Sequence, residues 1–287
     1  MTPSNTSDKS RALAFSLVAL SLAVLATAGR LFSLLFFYDR IGYYQSGAIL
    51  PIASNILFAA SVVFFGVAAL FLLKPAKTVA IPTKTAGYVA LLPALALAVC
   101  SIISLKGIAT PLFDLLSLFD ILLAVSGAVF FASLALCRQP SVLSVLTGIG
   151  AIFWLALAWL QSYRDFTVPM NSPDKLFFHL GCLGATLFIF SEIRAIYNMP
   201  RPRFYYFSIF TAILSLAVSS IPSLIGKACG VFASYSLTFK DIFFLALLVY
   251  AIARLLTLAS HVSDGSGKSD APTDEQEQQQ SNNDTKQ

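Results

Sequence analysis

Between Arg11 and about Ser260 the chain is a succession of apolar runs of about twenty residues, separated by short breaks carrying Lys, Arg, Gly or Pro. An α-helix of about twenty apolar residues crosses a hydrocarbon core of about 30 Å. Inside that core the backbone must satisfy its own N–H and C=O groups, so runs of this length read as transmembrane helices. Only 11% of the 287 residues are charged and 57% are hydrophobic, whereas a soluble chain is roughly 25% charged. The expected fold is an all-α integral membrane protein with about eight transmembrane helices.

The breaks at Lys74-Pro75, Lys106-Gly107, Arg138-Gln139-Pro140, Asn171 to Asp174, Pro200-Arg201-Pro202 and Gly226-Lys227 place the spans at about 12–37, 48–73, 86–105, 112–136, 141–160, 176–198, 204–225 and 236–260, because Pro and Gly punctuate helices. Every connection but the fifth-to-sixth is short, which predicts antiparallel packing of sequential helices.

Orientation follows from the basic residues of short loops. With the N-terminus inside, Lys9, Arg11, Lys74, Lys77, Lys84, Arg138, Arg194, Arg201, Arg203 and Arg254 gather on the inner side. The outer side holds Arg40, Lys106, Arg164, Lys175, Lys227 and Lys240, several of them beside an aspartate. Both termini are therefore expected in the cytoplasm, with the protein in a plasma membrane. Lys9, Arg11 and Ala26-Thr27-Ala28 also resemble a signal peptide, but the apolar run continues to Phe37, longer than a signal core needs. From His261 the sequence turns to Ser, Asp, Gln and Asn, a composition that cannot offset its chain entropy by burial. Residues 261–287 read as a disordered cytoplasmic tail that could dock a protein partner, and 1–11 as the cytoplasmic N-terminus.

The two halves carry matching landmarks. Ala98-Val-Cys-Ser-Ile-Ile-Ser-Leu-Lys-Gly107 parallels Ala217-Val-Ser-Ser-Ile-Pro-Ser-Leu-Ile-Gly226. Tyr38-Asp39-Arg40 parallels Tyr163-Arg164-Asp165, Pro75 parallels Pro200, and Ser117–Ile121 parallels Thr238–Ile242. Four landmarks in one order suggest a four-plus-four duplication, 12–136 and 141–260. Units with an even number of spans enter from the same side, so the repeat should be parallel.

Ionisable groups within spans are functional candidates until their depth is considered. At about 1.5 Å per residue, Arg30, Asp120 and Asp241 rise roughly 27 to 30 Å above the inner boundary; with His179 they reach the outer interface. They read as solvated or simply paired there, with an outward-facing polar pocket of Arg30, Asp114, Asp120, His179 and Asp241 as the functional alternative. Asp114 and Asp120, six residues apart, do not share a helix face for acid/base work, and His179 has no second ligand three or four residues away. Glu192 lies deeper, eight residues before Pro200. Arg254 follows Asp241 by the thirteen residues that separate Glu192 from His179. On spans running the same way, Glu192 and Arg254 should lie at similar depth and form an intramembrane pair that is either structural or a coupling element.

Four scattered cysteines give neither zinc spacing nor a disulfide framework, Cys182 and Cys229 being the one pair worth testing as a bridge. HExxH, GxSxG, GxxxxGK[ST] and a Gly-rich dinucleotide fingerprint are all absent. The aromatic residues read as interfacial belt and packing. A net charge of +5 spread over loop edges does not form a nucleic-acid surface. No enzyme, cofactor or metal is expected. The lipid bilayer is the one certain partner, and two roles remain: a small-solute transporter or membrane subunit of a transport system, or a non-transporting scaffold or sensor working through helix contacts and the tail. A transporter needs a polar cavity between the halves that reaches Glu192 or Asp120; a scaffold is packed solid there and shows a lipid-facing apolar groove.

Overall fold

The computed structural model describes residues 4–39, 43–72, 84–108, 115–136, 141–166, 169, 172–197, 199, 201–231 and 239–264. The apolar runs form helices α1 (Ser4–Phe37), α2 (Ile49–Val67) continued by a π-helical turn Ala68–Leu72, α3 (Lys84–Val89), α4 (Leu91–Ile108), α5 (Leu115–Leu136), α6 (Val142–Arg164), α7 (Pro173–Ile196), α8 (Pro202–Ala228) and α9 (Phe239–Asp264). Eight helical segments are long and apolar enough to cross a membrane, α3 and α4 together supplying the third. This is the character of a polytopic membrane protein. Among the described residues the one β feature is an isolated bridge between Tyr38 and Tyr44 in the α1–α2 connection.

The helix ends differ from the expected spans for local reasons. The Asn171 to Asp174 break already contains the first turn of α7. The Ser172 side chain accepts from the Lys175 N–H, Pro173 occupies the start, and Asp174 lies in the first turn, each a group that favours a helix N-terminus. Helix α1 begins among polar residues at Ser4, and α9 runs past the expected boundary at His261 to Asp264. Residues 265–287 of the tail lie outside the described residues, as does Asp114.

Helix α8 is the centre of the bundle. Buried residues fill 83% of its most apolar window, against 28% to 39% for the first five spans. It packs on α1, α7, α9 and α2. Its sequence permits this crowding, because Ser208, Thr211, Ala212, Ser215, Ser219, Ser220 and Ser223 are small and all buried, and small residues let helix backbones approach without a hydrophobic drive between them. Three of their hydroxyls bond within the helix: Ser208 donates to the Tyr205 carbonyl, Ser215 to that of Ala212 and Ser220 to that of Leu216.

One close approach is between α7 and α8. A Cβ built on Gly184 would overlap the Ser215 hydroxyl and lie 3.4 Å from the Ala212 backbone, while one on Gly181 would come within 3.0 Å of Ser219 and Phe244. The overlap at Gly184 involves a short side chain with helix backbone behind it, so relief needs helix movement. Gly184→Leu should therefore lower stability by about 1 to 3 kcal/mol, the usual range for overpacking, measured as thermal unfolding in detergent micelles. Gly66→Leu, whose Cβ would meet only Phe207 at 3.8 Å, should change it far less.

Two of the matching sequence landmarks carry similar bonds, but the helices that bear them have different neighbours. Ser104 donates to Asp120 at 2.6 Å between α4 and α5, and Ser223 to Asp241 at 3.4 Å between α8 and α9. Ser101 bonds the Leu97 carbonyl four residues back as Ser220 bonds that of Leu216. Yet α8 packs on α1 and α7, whereas α4, its sequence counterpart, packs on α5 and α9 with no comparable contact to α6 or α2 among the described residues.

Candidate functional site

Two buried polar systems sit at opposite ends of the bundle. The first joins α7, α8 and α9. Arg254 Nε donates to Glu192 Oε1 at 2.9 Å, the Tyr205 hydroxyl donates to the same oxygen, and the Tyr250 hydroxyl donates to Glu192 Oε2 at 3.2 Å. The Arg254 guanidinium also lies over the Tyr205 ring, 5.7 Å from its centroid. Exposure of the two ionic side chains is 0% and 1%. Both carboxylate oxygens are thus engaged by donors from two other helices, as a charge removed from water requires. Tyr205 and Tyr250 did not stand out in the sequence, although Tyr205 follows Glu192 by thirteen residues and Tyr250 precedes Arg254 by four, one helical turn.

The second system gathers around the other end of α8. Arg30 of α1 donates to Asp174 Oδ1 at 2.9 Å, to the Val218 carbonyl and to the Ser219 carbonyl at 3.2 Å, and its guanidinium lies 4.2 Å from the centre of the Phe177 ring. Pro222, inside α8, explains why a carbonyl is available there. Proline has no N–H, so the carbonyl four residues earlier, that of Val218, loses its helical donor, and the arginine of another helix supplies one. Tyr44, in the α1–α2 connection, closes over the same arginine; burial raises its hydroxyl above the ordinary value of 10.0 while Arg30 opposes the rise.

Farther round the same end, Lys227 pairs with Asp241 at 2.6 Å, Lys240 donates to Gln161 at 2.5 Å, and Lys175 donates to the Asp165 carbonyl at 2.5 Å. They surround a cavity of about 150 Å³ whose charged lining is Asp165, Asp174, Asp241, Lys175, Lys227 and Lys240. Opposite charges balance across this mouth.

Of the residues expected to form an outer polar pocket, Asp241 lines the cavity, Arg30 reaches it through Asp174, and His179 and Asp120 do not line it. His179 bonds Ser162 at 3.0 Å and stacks on Tyr163 at 4.7 Å. Asp120 accepts from Ser104. Arg30, Asp120 and Asp241 are all buried between helices; Arg30 pairs with Asp174 and Asp241 with Lys227, whereas Asp120 Oδ1 and Arg30 Nε have no hydrogen-bond partner among the described residues. Lys175, Lys227 and Lys240 belong to the cavity although their sequence positions suggested loop charges. Cys182 is buried in α7 and Cys229 exposed at the end of α8, both as free thiols. Among the described residues no group of three or more His, Cys, Asp or Glu side chains could hold a metal.

Between the two systems runs a chain of aromatic contacts. Phe178 at the mouth lies 5.4 Å from Phe244, Phe244 lies 6.1 Å from Phe243, Phe243 6.3 Å from Phe131, and Phe131 6.0 Å from Tyr250, which bonds Glu192. Trp154 packs edge-on against Phe243 at 5.1 Å. Among the described residues the cavity is lined by residues from Ala158 to Asp241, all of them in the second half of the chain. No protein-family profile, curated protein or solved structure matches the chain.

Proposed function

We propose that the chain is a non-enzymatic, non-transporting membrane scaffold or sensor of a plasma membrane, with both termini cytoplasmic and the polar tail after Asp264 available to a protein partner. The observation that carries this reading is the continuous chain of aromatic contacts from Phe178 to Tyr250. A permeation route would have to pass it, and neither Glu192 nor Asp120 borders the polar cavity. The small, charge-balanced mouth suits recognition of a small polar ligand from the outer side, and its ion pairs tie α1, α7, α8 and α9 so that a ligand competing for them would act on several helices at once.

Small-solute transport is the second reading, and the buried Glu192 and Arg254 pair favours it, since intramembrane ion pairs mark coupling sites in many transporters. Light-scattering swelling assays separate the two. Vesicles containing the purified protein and challenged with glycine, glycerol or potassium glutamate should swell at the rate of protein-free vesicles. Faster swelling for any of these solutes that is lost in Glu192→Gln would replace the scaffold reading with transport.

We also read the four-plus-four landmarks as a duplication whose copies diverged in packing. The paired bonds of Ser104 with Asp120 and Ser223 with Asp241 support it, and neither functional reading depends on it.

A further inference from the structure

At the start of α8 an open-sided groove of about 660 Å³ runs between the end of α2 and α8, lined by Gly66, Ala69 and Leu70 on one side and Phe204 and Phe207 on the other, with Arg201 and Arg203 at its lip. At about 30 Å³ per water-sized volume it holds roughly twenty such volumes, room for much of an acyl chain. Its depth has a sequence cause: Gly66 and Ala69 present almost no side chain where Phe204 and Phe207 stand opposite. The α2 wall is also where the helix loosens into the π-helical turn Ala68–Leu72, a departure that recurs at ligand sites.

The lip is as distinctive as the walls. Arg201 and Arg203 are exposed, and neither appears in any salt bridge or side-chain hydrogen bond among the described residues. The two buried arginines, by contrast, are engaged: Arg30 by Asp174 and Arg254 by Glu192. Two uncompensated guanidinium groups above an apolar groove match an amphiphile with an anionic head and an apolar tail. Guanidinium groups bind phosphate oxygens in forked, charge-assisted pairs, and the basic-loop pattern puts this end of α8 at the anionic cytoplasmic leaflet. The polar cavity near Asp241 lies at the far end of α8, so this site is separate from it.

We propose that the groove between α2 and α8 is a binding site for an anionic glycerophospholipid of the cytoplasmic leaflet, Arg201 and Arg203 holding the headgroup phosphate and Gly66, Ala69, Phe204 and Phe207 enclosing one acyl chain. The site does not depend on whether the protein transports a solute.

The test uses the full-length protein, delipidated in detergent, titrated with dioleoyl phosphatidylglycerol or dioleoyl phosphatidylcholine, and read by native mass spectrometry. One phosphatidylglycerol should bind in preference to phosphatidylcholine. Each basic residue facing an anionic headgroup contributes about fivefold, so Arg201→Gln with Arg203→Gln should weaken that binding about thirtyfold. Gly66→Leu, which fills the groove and leaves both charges, should also weaken it, whereas Arg164→Gln at the other end of the bundle should not. Thermal unfolding of each variant before lipid is added verifies that it is folded. Equal binding of the two lipids, or unchanged affinity in the double arginine variant, overturns the proposal. Loss of affinity in the arginine variant but not in Gly66→Leu overturns the acyl-chain part and leaves a surface charge effect. A monomer–dimer change in Gly66→Leu without a change in lipid binding assigns the groove to a second copy instead.

Discussion

Glu192→Gln should lower the stability of the protein by about 3 to 5 kcal/mol, the usual cost of leaving a buried charge without its partner. Arg254 would then remain among α7, α8 and α9 with a neutral amide opposite it, and a guanidinium cannot shed its proton. Arg254→Met should cost less. The Glu192 carboxylate keeps the Tyr205 and Tyr250 hydroxyls as donors, and a carboxyl group, unlike a guanidinium, can be neutralised by taking up a proton. The double variant should recover most of the loss, because replacing both partners removes the charges together. The measurement is the unfolding midpoint in mixed dodecylmaltoside and sodium dodecyl sulfate micelles. A double variant as unstable as the sum of the singles would mean that the two charges are not energetically coupled. Two equal single variants would remove the argument about which charge can be neutralised.

Much of this arrangement is legible in the sequence because it depends on distance along a helix. Span number follows from the length of apolar runs, and the meeting of Glu192 with Arg254 was anticipated from equal depth on spans that run the same way. The rest depends on which helix faces which. Tyr205 and Tyr250 are two of ten tyrosines in a chain with twenty-five phenylalanines, and nothing local marks them as ligands of a carboxylate. The pairing of Arg30 with Asp174 joins residues 144 apart in sequence and exists only because α1 packs against the later helices. Depth along the chain gives the height of Arg30, Asp120 and Asp241 on their helices, but it does not say whether a group faces solvent or another helix. The burial of α8 had a visible sign, its run of serines and alanines, which reads as polarity until it is recognised as permission for close packing. Repeat landmarks, being local, recovered matching bonds in the α4–α5 and α8–α9 hairpins, while the unequal neighbours of α4 and α8 lay beyond them.

Arg30→Met should be the other severe substitution, again about 3 to 5 kcal/mol, because it strips the charge partner from Asp174 and the donor from the Val218 carbonyl at once. Arg30→Lys should recover only part of this. An ammonium can pair with Asp174, but it has no planar fork to hold Asp174 with one nitrogen and the Val218 and Ser219 carbonyls with the other, and it stacks less well on Phe177. Pro222 gives a way to divide the effect. In Pro222→Ala the alanine N–H becomes available to the Val218 carbonyl, so that acceptor no longer depends on Arg30. An unsatisfied buried acceptor costs about 1 to 3 kcal/mol; the loss caused by Arg30→Met should therefore shrink by roughly that amount in the Pro222→Ala background, while the part due to Asp174 persists. A double-mutant cycle on detergent-solubilised protein measures the difference. If the cost of Arg30→Met is the same with proline or alanine at 222, the arginine does not serve the carbonyl that the proline releases, and its role reduces to the ion pair with Asp174.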